Sequence, residues 1–152
     1  MNLPVLIYRI GHKLHSFGLV RTAKILSLLN RFFCSGWIPS SADIGKNLTL
    51  GYWGLGIVIH SKTKIGDNVT IAQNVTIGRN FGDTGVPIIG NDVYIGAGSV
   101  VFGEIIIGNN VIIGSNSLIN KDIPDNCTVV GNPMKIILSN RKIKYYEIDK
   151  NK

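Results

Sequence analysis

Aliphatic side chains return every sixth residue along most of this chain. They stand at Ile38, Ile44 and Leu50, then at Ile59, Ile65, Ile71 and Ile77, then at Ile89, Ile95, Val101, Ile107, Ile113 and Ile119. On an α-helix a step of six, at ~100° per residue, spreads these positions over three faces and leaves no apolar stripe. On strands six is even, so every one falls on the same face. Glycine usually follows, as at Gly45, Gly66, Gly90, Gly96, Gly108 and Gly114, and a small or branched side chain such as Ala42, Val69, Val93, Ser99 or Ser117 stands four places on. Glycine there suits sharp corners that need positive φ or have no space for a side chain. The pattern predicts an all-β solenoid of short strands with one continuous aliphatic core.

The period breaks twice. Nine residues separate Leu50 from Ile59, so three are inserted within 51–58. Between Ile77 and Ile89 the repeat slot holds Asp83, inside Arg79-Asn80-Phe81-Gly82-Asp83-Thr84-Gly85-Val86-Pro87, which reads as a loop. Binding groups tend to sit on loops carried by a rigid scaffold, so function is expected at these breaks and not in the ladder. Ahead of the ladder, Leu3, Leu6, Ile7, Ile10 and Leu14 are spaced for one helix. Val20, Ala23, Ile25, Leu26, Leu29, Phe32 and Phe33 are spaced for a second, with Gly18 between them. Both a cap on the open end of the solenoid and an oligomer contact fit these helices. The organisation expected is a helical cap over 1–36, a solenoid over 37–137 and a charged tail over 138–152, solvated from Asn140 onward.

Composition narrows the picture. With 152 residues, 45% hydrophobic and 16% charged, the chain can bury one core but has no room for a second full domain. Cys34 and Cys127 lack CxxC spacing, so neither a zinc site nor a disulfide framework is read, and a reducing cytoplasm fits. Basic residues interrupt every apolar run of the first 34 residues, against a signal peptide. The apolar stretch from Ile105 to Asn120 carries four Asn and two Ser, against a membrane span. The net charge of +7 gathers at the two ends with no basic stripe interleaved with aromatics. Nucleic acid is therefore not expected, whereas a polyanionic small molecule is compatible.

The repeat from Ile38 onward, the loop before Pro87, Ile95-Gly-Ala-Gly-Ser99 and the closing Val130-Gly-Asn-Pro-Met-Lys135 together resemble the serine acetyltransferase group of hexapeptide-repeat acyltransferases. The resemblance covers roughly residues 36 to 137. It implies a left-handed parallel β-helix, assembly as a homo-oligomer around trimers, and acetyl-CoA bound between neighbouring subunits without a metal. It also implies direct attack of the acceptor oxygen on the thioester, with backbone N–H groups stabilising the oxyanion. Serine-specific members carry one histidine before a Gly-Ile-Val-Val-like segment and a second before the loop proline. Here those sites hold Tyr52 or Trp53, ahead of Gly56-Ile57-Val58-Ile59, and Val86.

Of three histidines, only His60 lies in the solenoid. An imidazole, with an unperturbed pKa of about 6.5, suits transfer of the acceptor proton; hydrogen bonding to a corner carbonyl is the alternative. If three hexapeptides make a coil and the loop fills two slots, Ser61, Arg79, Ala97, Ser115 and Pro133 form one column. Ala97 and Ser115 would then admit an extended pantetheine while Arg79 and Lys135 face phosphates; for the two small residues, corner geometry alone is the alternative. Tyr52, Trp53 and Asp83, on the two breaks, are the candidate acceptor contacts, the aromatic rings suiting a sugar or packing between subunits. The functions expected are O-acetyl transfer to L-serine or a small polar acceptor, the same transfer to a sugar hydroxyl of a surface polysaccharide or its precursor, or a silent CoA-binding scaffold. A zinc carbonic anhydrase on this fold needs three solenoid histidines, and a nucleotidyltransferase needs a large preceding domain.

Overall fold

The computed structural model describes residues 2–82 and 84–151, in which two helices precede fourteen short strands. The helices are α1 (Leu3–Ser16) and α2 (Val20–Cys34). The first sheet runs β1 (Asp43–Ile44), β4 (Lys64–Ile65), β7 (Ile88–Ile89), β10 (Ile106–Ile107). The second runs β2 (Thr49–Leu50), β5 (Thr70–Ile71), β8 (Tyr94–Ile95), β11 (Ile112–Ile113), β13 (Thr128–Val130), β14 (Lys135–Leu138). The third runs β3 (Val58–Ile59), β6 (Thr76–Gly78), β9 (Val100–Phe102), β12 (Leu118–Ile119). Neighbouring strands are parallel except for the closing β13–β14 hairpin. The chain winds through the sheets in turn, a parallel β-helix of about four turns, as the six-residue period predicts.

Parity drives this winding. Each two-residue strand turns its first side chain outward and its second inward, so the ladder isoleucines fill a common interior with Val69, Val93, Val111 and Val129. At these corners the second of the two expected reasons for glycine holds, the lack of space for a side chain. Gly66 and Gly90 are needed for close approach, since a Cβ would lie 2.7 Å from Gly90 O and 2.8 Å from Gly108 O. Positive φ falls two residues later, on Asn68 (57°), Asp92 (57°) and Asn110 (55°), the residue types that best tolerate it.

The helices cap the first coil. Val5 and Tyr8 join the core, and the Tyr8 hydroxyl donates to Ala42 O (2.8 Å) while accepting from Ile44 N (3.2 Å). Burial pushes that phenol up to about 12. The inward face of α2 is small and polar: Ala23, Ser27, Asn30 and Cys34. Ser27 Oγ meets Ser40 Oγ at 2.8 Å, and Asn30 Nδ2 donates to Pro4 O at 3.0 Å. Of the apolar residues that set the helix spacing, Ala23 is buried but Leu3, Leu6, Ile10, Val20, Ile25, Leu29, Phe32 and Phe33 face outward, as does Leu28.

The C-terminal segment, expected to be solvated, straps the second sheet instead. Buried Arg141 donates to Asn110 O and Ile143 O. Tyr145 OH donates to Asn68 O (2.9 Å) and packs on Tyr94. Asp92 anchors the strap: its Oδ1 accepts from Asn68 Nδ2 and Tyr146 OH, both at 3.0 Å, and Oδ2 lies 3.1 Å from Lys144 Nζ. Burial alone would raise this carboxyl, but the hydrogen bonds from Lys144, Asn68 and Tyr146 outweigh it and hold it below the usual value. The stabilisation is complete above the ordinary carboxylate pKa of ~4 and is lost as pH falls through the lower folded value. Limited proteolysis of the strap should therefore accelerate only below about pH 4; equal rates on both sides would remove Asp92 as the anchor.

Candidate active site

The coil has three edges, and the predicted site residues that the structure describes lie on two of them, apart from Lys135, which opens β14. One edge joins the second sheet to the third. It begins with the three-residue insertion, where Tyr52 (φ 45°) and Trp53 (φ 58°) both adopt the left-handed conformation and are 76% and 59% exposed. Such a conformation costs roughly 1–2 kcal/mol per non-glycine residue. Above the insertion the edge continues through Gln73, Ala97 and Ser115 to the Gly131–Pro133 turn that leads into Lys135. Ala97 lies two rungs above the insertion, roughly 10 Å at the ~4.8 Å strand spacing.

The other edge joins the third sheet to the first and carries His60, Ser61 and Arg79. The expected single column is thereby divided. Gly78 pairs with Phe102, a step of 24, so six residues of the 79–87 loop are extruded and Arg79 does not stack below Ala97. Arg79 stands above Ser61 and opens the loop; Val86 and Pro87, buried, close it. Asp83 lies outside the described residues. Phe81, absent from the sequence-based candidates, projects fully into solvent; a bulky aromatic within a run of Asn, Gly, Asp and Thr was its signal. Along the third sheet, Gly56 and His60 are four strand residues apart, roughly 13 Å.

His60 is half-buried, and its Nδ1 accepts the Lys62 N–H at 3.2 Å. That contact leaves Nε2 carrying the proton of the neutral ring.

The corner amides distinguish the Trp53 edge from the edge between the first and second sheets. Between the first and second sheets, the N–H groups of Lys46, Asp67, Asn91 and Asn109 each donate to an Asp or Asn side chain one rung on, at 2.6–2.8 Å. The equivalent positions on the Trp53 edge are Gln73, Ala97 and Ser115, and the next rungs there offer Ala97, Ser115 and Gly131. Among the described residues nothing accepts from the N–H of Ala97 or Ser115. A Cβ on Gly96 would lie 2.5 Å from Ser115 N, so the glycine keeps these rungs close. Two buried serines set the edge from inside: Ser99 Oγ and Ser117 Oγ donate to Gly114 O at 3.0 and 2.6 Å, and Ser117 Oγ accepts from Gly131 N. Their signal was serine in slots that elsewhere hold Val93 and Val111.

Comparison with known proteins decides the family. The Bacterial transferase hexapeptide (six repeats) family matches residues 87–121. A serine acetyltransferase from Helicobacter pylori is 40% identical over 139 residues, covering 90% of this chain and 81% of that protein. This chain belongs to the serine acetyltransferase family. Another member, from Bacillus pumilus, is 38% identical over 137 residues, but there the chain spans only 63% of the relative's length. The crystal structure of the Brucella abortus family member in complex with coenzyme A superposes with a TM-score of 0.84 at 31% identity, over 89% of this chain and 54% of that one.

Proposed function

We propose that this chain is an acetyl-CoA-dependent O-acetyltransferase that passes acetyl to the hydroxyl of L-serine or a small polar acceptor. The observation that carries the reading is the pair of unpartnered corner N–H groups at Ala97 and Ser115, on an edge whose side chains are too small to cover them. An extended pantetheine presents amide carbonyls that such donors pair with. Pro133 and Lys135 continue the same edge, placing a cation for the cofactor phosphates. A relative matching most of the chain is itself a coenzyme A complex. His60 and Arg79 lie across the third sheet from these amides, so the site is completed between two copies, in a homo-oligomer built as a trimer. Within it the acceptor oxygen attacks the thioester carbon, the C–S bond breaks, and the hydroxyl proton passes to His60 and on to the departing thiolate. Free, buried Cys34 and Cys127 accord with a cytoplasmic setting.

Tyr52 and Trp53 favour a second reading of the acceptor, a sugar hydroxyl. Two exposed rings are held in a costly backbone conformation, where the resemblance has a histidine, and aromatic faces suit sugar rings.

Thiol release from acetyl-CoA, followed with L-serine and a panel of sugars, tests both. Ser115→Asn installs beside Ala97 the amide cap seen on the opposite edge, and should raise the acetyl-CoA KM about tenfold, the loss of one hydrogen bond, while the fold is kept. An unchanged KM would detach the cofactor from this edge. Coenzyme A binding without thiol release for any acceptor would leave a silent scaffold.

A further inference from the structure

The outer face of the N-terminal helices is built for a surface other than water. At ~100° per residue, the inward residues of α2, Ala23, Ser27, Asn30 and Cys34, gather on one side. Ile25, Leu28, Leu29 and Phe32 gather on the opposite side, with Lys24 and Arg31 along its border. The amphipathicity is inverted relative to a helix that only caps a core. α1 adds Leu3, Leu6 and Ile10, and the connection between the helices adds Phe17 and Leu19, all exposed. Lys13, Arg21, Lys24 and Arg31 are exposed, and residues 1–42 contain no Asp or Glu.

We propose that this helix pair docks the protein on an anionic lipid bilayer, lying in the interface with its phenylalanines and aliphatic residues inserted and its cations on the phosphates. Charge complementarity selects that occupant. A second copy meeting the same face would set cations against cations, with no carboxylate from either helix pair to match them. Aromatic and aliphatic residues bordered by Lys and Arg are the composition of interfacial helices. At 14 and 15 residues the helices fall short of the ~20 needed to span a bilayer, so they lie on it.

Co-sedimentation of the full chain tests this with vesicles of phosphatidylcholine alone and of equimolar phosphatidylcholine and phosphatidylglycerol. The chain should pellet with the mixed vesicles, remain in solution with phosphatidylcholine alone, and be released by high salt. The triple variant Arg21→Gln, Lys24→Gln, Arg31→Gln should weaken partition on the order of a hundredfold, at about 1 kcal/mol per cation. Phe32→Ser with Phe33→Ser should weaken it at least ~tenfold. Phe32 and Phe33 are 80% and 66% exposed, so far-UV circular dichroism should be unchanged, and the lipid dependence of the wild type stands without either variant. Failure to pellet, or equal pelleting with neutral vesicles, would overturn the proposal. So would a phenylalanine variant that keeps its partition but loses assembly mass in light scattering; the face would then belong to a second copy.

Discussion

Replacing Ile107 with alanine should lower the unfolding free energy by about 2–5 kcal/mol, whereas the same change at Ile106, its neighbour, should cost no more than ~0.5 kcal/mol. The two residues share chemistry, strand and sequence context; they differ in parity. Ile107 is 1% exposed and stacks in register between Ile89 and Ile123, while Ile106 is 58% exposed on the outer face. The truncated site has little means of closing. Each rung is tied to the next by main-chain hydrogen bonds, such as Gly90 N to Ile107 O and Gly108 N to Ile123 O, both 2.8 Å. The cavity therefore stays open, and the loss should fall in the upper part of the range. Equal losses at 106 and 107, measured by denaturant unfolding at equal protein concentration, would mean that the interior ladder is not what holds the coil together.

The same parity explains why the fold was legible. Which face a strand residue occupies is fixed by its even or odd position, so the isoleucine ladder could be read without knowing which strands pair. The corners were read only in part. Glycine was correctly placed, but Gly66 and Gly90 meet the next rung's backbone, and the left-handed residues are Asn68, Asp92 and Asn110. Asparagine there also looks like any polar surface residue, so its conformational role carries no separate signal. The predicted column failed for a different reason. The stretch 79–87 can fill repeat slots or leave the coil altogether, and only the Gly78–Phe102 register distinguishes these. Pairing is non-local, and loop composition does not encode it. The strap was missed because Arg141, Lys144, Tyr145 and Tyr146 have no periodicity. Their partners, Asn110, Asp92 and Asn68, lie 31 to 77 residues earlier.

Replacing His60 with alanine should cut turnover by ~10²–10⁴-fold, the usual worth of a positioned proton-transfer group, with the acetyl-CoA KM little changed. The alternative role is local: Nδ1 accepts the N–H of Lys62, two residues on, the contact an Asx side chain makes in a turn. Asparagine separates the two. Its Oδ1 can accept the same N–H, and Asn120 already occupies the equivalent corner of the same edge, but an amide exchanges no proton at neutral pH. His60→Asn should therefore fold as the wild type does and lose as much turnover as His60→Ala. Turnover within about threefold of wild type, against the loss expected of a general base, would leave His60 a turn residue. The chemistry tolerates the observed contact. To take the acceptor proton the ring must give up Lys62 N–H, an exchange of hydrogen bonds worth about 1 kcal/mol, small beside the rate effect at stake. Because His60 and the free amides of Ala97 and Ser115 stand on different edges of one chain, mixing His60→Asn with Ser115→Asn subunits should, at acetyl-CoA well below the wild-type KM, raise the rate above the sum of the two separate variants, a fraction of sites having an intact imidazole from one copy and an intact edge from the other. No recovery in co-assembled mixtures would place both groups' work within a single chain, which the roughly 13 Å between the edges opposes.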